Sequence, residues 1–314
     1  MSVSEDRSCI SCAPEERPRA EHISVCVCTY QRPHLLARLL CDLGAQDTGG
    51  LFTYSLVIAD NDRLESAKLV VANFAATSAI PVRYCVEPRQ GIALARNKAT
   101  ENSTGDLVAL LDDDERPAET WLVTLFRSLK ATGADGVLGP VKPLFDTGAP
   151  RWVTKCGFFD RPDYPTGTIL PWRETRTGNV LFKRELLDSV HPPFRPEFRS
   201  GEDQDFFKRL IETGRKFTWC SEAAVYEAVP AVRWSRKFML RRALLRGTCA
   251  AYHAGPRGIA TSLVAIPLYT AALPFALAAG HHRFMRLLVK LCDHLGKILA
   301  LLGINVIREP YVTE

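Results

Sequence analysis

The chain has 314 residues, 46% of them hydrophobic, and a formal net charge of +5, which suits one large domain or two smaller ones with a sizeable core. Its ten cysteines do not read as a disulfide framework, because Cys26, Cys28 and Cys85 fall inside apolar strand-like runs where free cysteine packs as a small hydrophobe, and a reducing, cytoplasmic setting is expected. The charge is unevenly spread: no Asp or Glu occurs from Ala228 to Cys292, where Arg233, Arg236, Lys237, Arg241, Arg242 and Arg246 are among ten basic residues, and that asymmetry points to an anionic partner, nucleic acid or membrane.

Residues 1–21 are polar and rich in charge and Pro, so a disordered tail without an apolar signal is expected there. Cys9-x-x-Cys12 has metal-like spacing, but no second pair follows it. Ile23 to Thr29 reads as a first buried strand. Pro33 then opens a helix carrying Leu35, Leu36, Leu39, Leu40 and Leu43 that stops near Gly44. Leu56 to Ala59 is a second strand ending in Asp60, followed by a helix over 64–75 and a third strand, Val82 to Val86. Gly91 to Asn102 is helical. Leu107 to Leu111 is a central strand, then come a helix over 119–130 and a strand over 136–139. Strands alternating with helices predict a mostly parallel, doubly wound α/β sheet.

The central strand ends in Asp112-Asp113-Asp114-Glu115. Acids there sit where open α/β sheets bind ligands. Asp112 and Asp114 share one face of an extended segment, and their repulsion is relieved by a hard divalent ion held together with substrate phosphates. A solvated acidic turn is the plainer reading. Thr29, Asp60, Asp112 and Asp114 end different strands at one edge and are expected to converge. Asp60 can accept from a base N–H or ribose hydroxyl, or simply cap a helix. A helix opening near Gly91 presents free N–H groups suited to phosphate, with Arg96 and Lys98 on it; Arg96 can equally pair with a surface acid. Neither a G-x-G-x-x-G after the first strand nor a P-loop is present.

Residues 143–176 show no periodicity and form a long loop, of the kind that is usually functional. Trp152, Phe158, Phe159, Tyr164 and Trp172 there can stack on a sugar, form a lid, or pack conventionally. Gly201-Glu202-Asp203-Gln204-Asp205 opens a helix with Phe206, Phe207, Leu210 and Ile211 on one face, stopped by Gly214. Its acids suit the helix dipole, and one of them can serve as general base toward a hydroxyl.

These motifs in this order are similar to those of a known family. Cys28-Thr29-Tyr30-Gln31-Arg32-Pro33, Ala59-Asp60-Asn61-Asp62, Arg89 to Asn97, Leu111 to Glu115, Thr177-Gly178-Asn179 and Gly201 to Asp205 resemble the inverting family-2 glycosyltransferases, over residues 22–250. The resemblance is greatest to enzymes that extend bacterial exopolysaccharide or lipid-linked saccharides. It implies the GT-A fold, a Rossmann-like, mostly parallel sheet flanked by helices. It implies that Thr29, Tyr30 and Arg32 begin the nucleotide site, that Asp60 meets the uracil or ribose, and that Arg96 meets donor phosphate or sugar. Asp112, Asp113 and Asp114 match the metal motif for Mn²⁺ or Mg²⁺, with Asp114 as direct ligand beside Asp112. Asp203 matches the catalytic base, and Glu202 beside it orients the acceptor. Donor and acceptor are then a nucleotide-diphosphate sugar, UDP-linked by analogy, and a saccharide or lipid-linked hydroxyl. Processive members carry Gln-x-x-Arg-Trp, whereas this chain has Arg233-Trp234 without the Gln, so single-sugar addition is expected.

A catalytic domain is thus expected over 22–228 and a basic, apolar helical region over 229–314. Ile259 to Ala279 is uncharged across the length a membrane helix needs, interrupted by Pro267 and Pro274. Phe284 to Leu302 is amphipathic, with Arg286, Lys290, Asp293 and Lys297 opposite the apolar face, as in interfacial helices. A soluble helical subdomain or a dimer contact has the same pattern. The leading expectation is a peripheral or singly anchored enzyme at the cytoplasmic face of a bacterial inner membrane. The rivals are a nucleotidyltransferase, which lacks its Gly-rich phosphate loop here, and a non-catalytic nucleic-acid-binding protein, against which the Asp-rich edge and the apolar run argue.

Overall fold

In the computed structural model residues 20–145, 148–198, 200–304 and 306 are described; the expected tail up to residue 19, with Cys9 and Cys12, lies outside them. The chain runs β1 (Glu21–Thr29), α1 (Pro33–Gly44), β2 (Phe52–Asp60), α2 (Lys68–Thr77), β3 (Val82–Val86), α3 (Ile92–Glu101), β4 (Leu107–Asp112) and β5 (Glu115–Pro117). It continues through α4 (Trp121–Thr132), β6 (Gly136–Leu138), β7 (Val141–Phe145), α5 (Arg151–Cys156), β8 (Asn179–Lys183), α6 (Glu185–Asp188), α7 (Glu202–Glu212), β9 (Phe217–Trp219) and β10 (Val225–Val229). Three long helices follow: α8 (Arg236–Ala251), α9 (Pro256–Ala278) and α10 (His281–Leu301).

Seven strands form one sheet in the order β3-β2-β1-β4-β8-β6-β9. All pairings are parallel except those of β8, which runs antiparallel to both β4 and β6. The sheet is therefore mostly parallel, as expected, with one reversed strand. The period of two divides the strand residues between two cores. Val25, Val27, Ile58, Ala109 and Leu111 join Leu36, Leu39, Leu40, Leu43 and Trp121 of α1 and α4 on one face. Cys26, Val57, Val108 and Leu110 join Ala93 of α3 and Phe206, Phe207 and Leu210 of α7 on the other. Both faces are covered, which is why the central strands read as unbroken apolar runs. Each fully buried Val, Leu, Ile or Phe side chain among these contributes about 1.5–3 kcal/mol from burial.

The chain goes from β1 outward to β2 and β3, then returns to place β4 on the other side of β1. The carboxyl ends of β1 and β4 thus flank the point where the strand order reverses, where open α/β sheets leave a crevice.

Three differences from the expected elements have physical causes. The second helix begins at Lys68 because residues 61–67 are folded into turns: Leu64 N–H donates to Asp62 Oδ1 and Ala67 N–H to Asp60 Oδ2. The loop 143–176 contains the end of β7 and all of α5. A second, three-stranded sheet, β5-β10-β7, is present; its short strands are fixed by partners distant in sequence.

The carboxyl-terminal helices form a layer on a third apolar cluster that includes Val153, Met239, Ala243 and Val289, with Trp152, Phe158 and Phe159 packed against it. These three aromatics are therefore partly buried packing residues. α8 and α10 cross with their backbones nearly touching: a Cβ on Gly296 would lie 2.3 Å from the carbonyl oxygen of Leu244. α8 reaches from Ser235, which caps it through Phe238 N–H, to Cys249, whose Cβ lies 3.7 Å from where a Gly201 side chain would begin.

Candidate active site

The acidic run lies where the chain leaves the large sheet and enters the small one. Asp112 is the last residue of β4, in register with Cys28 of β1, and Glu115 is the first of β5, in register with Glu227 of β10. Two acids directly opposed across strands repel. Arginines offset this: Arg161 donates to Glu227 at 2.7 Å and Arg233 at 2.8 Å.

Thr29 Oγ donates to Asp113 Oδ2 at 2.7 Å, joining the ends of β1 and β4 across the crevice. Arg32 donates to Asp113 at 3.3 Å and to Asp114 at 3.5 Å, and Arg233 to Asp114 at 3.0 Å. Tyr30 is half-buried beside them. Glu115 is almost wholly buried and accepts from the Asp112 backbone N–H at 3.0 Å. Burial pushes its pKa well up, with Asp112 adding to the rise. Burial also raises Asp113, against Arg32 and Thr29, and pushes Asp114 up to about 7, with Glu227 adding to the rise and Arg233 opposing it.

The second acidic cluster is drawn to the first by Arg96. Its guanidinium donates to Glu202 through one nitrogen and to Asp112 through the other, the latter at 3.2 Å. α3 carries Arg96 there because the loop before it is pinned: Asn61 donates to the carbonyls of Glu87 and Arg89 and accepts from Gly91 N–H. The next residue, Asn97, exchanges both its amide bonds with the backbone of Phe194, which docks the segment leading to α7. Burial works against the charge on Arg96, but Glu202, Asp112 and Asp203 outweigh it and raise its pKa. Burial raises Glu202 to about 7, opposed by Arg96 and reinforced by Asp203. The Glu202 Oε2 atom is buried without a hydrogen-bond partner. Asp203 is less buried than Glu202 and accepts from Gln204 N–H at 2.8 Å.

Gly178, just before β8, closes this arrangement. A Cβ there would lie 2.5 Å from Glu115 Oε1 and 3.2 Å from Asp112 Oδ2, so only glycine leaves space beside these oxygens. Its neighbour Asn179 donates to the carbonyls of Pro140 and Ala223 and accepts from Trp121 Nε1. That network holds the reversed strand against the crevice.

Asp60 is placed differently. It is wholly buried, and its oxygens accept from Asp62 N–H, Ala67 N–H and the Tyr84 hydroxyl. Beside the two sequence readings, a base or ribose contact and a helix cap, these bonds show Asp60 shaping the turn before α2, with one of them to Ala67, the residue that precedes the helix. Tyr164 and Trp172 pack edge-on against Trp219 and His253 respectively.

The donor set at the crevice is all oxygen and rich in acid, which fits a hard divalent ion. The space beside Asp112 left by Gly178 and the upward shifts of Asp113, Asp114 and Glu115 fit the same group. Among the described residues no cluster of three or more His, Cys, Asp or Glu is arranged to hold a metal. Asp112 and Asp114 are the carboxylates of this edge that could hold such an ion. The Asp112 side chain is 42% exposed and that of Asp114 10%.

Glu227 and Arg161 were not singled out from sequence. A lone acid inside the apolar run Val225 to Val229 was the available signal for Glu227; Arg161, in an aperiodic loop, had none.

The Glycosyl transferase family 2 profile matches residues 24–190 of this chain. The chain belongs to that family. It is 33% identical over 301 residues to the succinoglycan biosynthesis protein ExoM of Rhizobium meliloti (strain 1021), covering 92% of this chain and 95% of the relative. It is 24% identical over 204 residues to the glycosyltransferase AglE of Haloferax volcanii, covering 64% of each. Among solved structures, the mannosyltransferase PcManGT of Pyrobaculum calidifontis, in complex with GDP-Man and Mn²⁺, superposes with a TM-score of 0.63 at 18% identity, over 91% of this chain and 88% of that one. S. aureus TarS 1-349 in complex with UDP-GlcNAc gives 0.53 at 17%, over 91% and 93%. These likenesses place the fold as GT-A, as the motifs implied.

Proposed function

We propose that this family-2 glycosyltransferase is an inverting enzyme. It moves a hexosyl unit from a nucleotide-diphosphate sugar, a UDP-sugar by preference, to a hydroxyl of a saccharide or lipid-linked acceptor in bacterial exopolysaccharide synthesis. The observation that carries this reading is Arg96 bridging Asp112 and Glu202, which ties a metal-suited acidic edge to a helix start bearing a second carboxylate, Asp203. The likeness to ExoM over nearly its whole length supports the polysaccharide setting.

In this reading Thr29, Tyr30 and Arg32 receive the nucleotide, and Asp60 acts on it through the loop it shapes. Arg96, with Asp113 fixed by Thr29, orders the crevice around the donor's phosphates and sugar. Asp112 and Asp114 would hold a Mn²⁺ or Mg²⁺ ion, which would supply Lewis-acid neutralisation of charge on the departing diphosphate. Asp203 takes the proton from the acceptor hydroxyl as that oxygen attacks the anomeric carbon from the face opposite the leaving group. Glu202, held by Arg96, orients the acceptor beside Asp203. One displacement with one base inverts the anomeric centre. Family membership favours this over nucleotidyl transfer or nucleic-acid binding.

The carboxyl-terminal region bears on where the acceptor is met. α9 is long and apolar enough to cross a membrane, yet only 11% of its most apolar stretch is buried, and its exposed side chains include Leu263, Leu268 and Phe275. The proposed location is the cytoplasmic face of the inner membrane, with α9 and α10 as the contact.

The test is incubation of the purified protein with Mn²⁺ and a panel of nucleotide sugars, with and without saccharide acceptors. Metal-dependent release of nucleoside diphosphate from one donor is expected. Release that is indifferent to metal, or absent with every donor and acceptor, defeats the reading.

A further inference from the structure

Arg233 stands in the short turn Ala231–Trp234 that joins β10 to α8. It is buried, and both terminal nitrogens of its guanidinium are engaged: one donates to Glu227 at 2.8 Å, the other to Asp114 Oδ2 at 3.0 Å. The side chains of Arg233 and Asp114 are each 10% exposed, so solvent and salt screen this charge-assisted bond weakly. Arg32 approaches the same Asp114 oxygen at 3.5 Å.

Asp114 is also the carboxylate that the family motif makes the direct metal ligand. The two assignments compete. A guanidinium and a divalent ion seek the same oxygens, and two cations on one carboxylate repel each other at a few ångströms. Among the described residues no three acids converge into a ready-made cage. Asp112, Asp113 and Asp114 each meet an arginine instead: Arg96, Arg32 and Arg233 in turn. Asp112 is 42% exposed, so it has room for an ion while keeping Arg96. Asp114 does not have that room, and Arg233 has to release or share it.

We propose that Arg233 is the resident counter-cation of Asp114, a positioning residue that keeps this carboxylate compensated until a divalent ion takes over, and that thereby sets the metal affinity of the enzyme. This rests on the reading of Asp114 as a metal ligand given above. Glu227 retains Arg233 through a separate nitrogen when Asp114 is given up. The next residue, Ser235, caps α8 through Phe238 N–H, which fixes the backbone on that side, so the exchange needs side-chain motion only.

A prop and a competitor predict opposite signs. If Arg233 merely holds Asp114 in place, removing it loosens metal binding; if it competes, removing it tightens metal binding. Mn²⁺ binding to the full chain is measured by calorimetry, without nucleotide, for the unaltered protein, Arg233→Gln and Arg233→Lys, after thermal melting has verified folding. Arg233→Gln leaves Asp114 with Arg32 and Glu227 with Arg161, so neither acid is stranded. It is expected to bind Mn²⁺ at least about tenfold more tightly than the unaltered protein, and Mn²⁺ is expected to raise its melting temperature by more. Arg233→Lys keeps the charge and is expected to keep the weaker affinity.

Equal or weaker Mn²⁺ binding by Arg233→Gln overturns the proposal. So does equal tightening in Arg233→Lys, because charge is then not what competes. If Arg233→Gln does not fold, the unaltered protein supplies the test: Mn²⁺ should speed the reaction of Arg233 with phenylglyoxal, followed by peptide mass spectrometry, and unchanged reactivity overturns the proposal. Absence of Mn²⁺ binding in all three proteins defeats the metal reading itself, whereas equal binding by the unaltered protein and Arg233→Gln defeats only the role given to Arg233.

Discussion

The sheet-edge crevice and the carboxyl-terminal helical layer treat charge in opposite ways. At the crevice nearly every charge is buried and matched: Arg96 with Glu202 and Asp112, Arg32 with Asp113 and Asp114, Arg233 with Asp114 and Glu227. In the helical layer apolar side chains face outward, with Leu263, Val264, Leu268, Phe275 and Leu277 each at least 54% exposed, and several cations lack a carboxylate. Buried, matched charge holds a small polar ligand in fixed geometry and collapses if one member is lost. Outward apolar side chains beside free cations suit a surface that is oily within and anionic at its edge. Substitutions should therefore damage the two regions differently, and the following measurements test that contrast.

The largest effect is expected at the second acidic cluster. Asp203→Asn should lower transfer by about 10²–10⁴-fold, the usual worth of a general base, while donor affinity measured by calorimetry stays within about twofold. Loss of donor binding in that variant would remove Asp203 from the acceptor side. Next comes Arg96→Gln, which leaves Glu202 buried beside Asp112 with no cation. Breaking a buried pair in this way costs about 3–5 kcal/mol, readable by urea unfolding. The double variant Arg96→Gln, Glu202→Gln should recover part of that loss, and equal instability of single and double variants would show that the pair is not the cause. Gly178→Ala is expected to cost about 1–3 kcal/mol by overpacking, because its methyl group meets Glu115 and Asp112.

The pH dependence separates the regions further. Burial raises Glu202 from its ordinary value of 4.5 to about 7, so the folded state holds this proton over a range in which the unfolded chain has released it. The stabilisation is complete below 4.5 and is lost as pH rises toward 7. Glu202→Gln, which cannot ionise, should flatten that part of the stability profile. An unaltered slope between pH 4.5 and 7 in this variant would mean that Glu202 is ionised throughout.

Much of the crevice was legible in the sequence because its parts are local. Val25 to Thr29 and Leu107 to Asp112 are covered on both faces, so unbroken apolar runs ending in polar residues marked both the strands and their functional ends. The Asp112–Asp114 and Glu202–Asp203 clusters could be named, but their junction could not, since Arg96 reaches Glu202 across 106 positions of chain. The small sheet was illegible for the same reason: β5, β7 and β10 are three to five residues long and exist through pairing with each other. Asp60 shows the converse limit. An acid at a strand end looks the same in sequence whether or not, as here, it accepts from its own following turn.

The smallest effect on folding, and the sharpest test of the contrast, is expected on α9. Its inner stripe, including Ser262 and Ala265, is buried, and Ser262 Oγ lies 2.9 Å from His294 Nδ1 of α10. Its outer face bears Leu268 and Phe275, at 62% and 78% exposure. Leu268 is mostly exposed, so the effect of Leu268→Lys on stability should stay within about 0.5 kcal/mol. The same change places a charge on the face proposed to enter the headgroup boundary, so it should shift the protein from vesicles into solution. Ser262→Leu, on the inner stripe, should do the reverse: it should lower the melting temperature by forcing α9 away from α10 while leaving the outward apolar face in place. If Leu268→Lys destabilises the protein as much as Ser262→Leu does, the outer face is packed in solution against something other than lipid, and a second copy of the chain becomes its occupant.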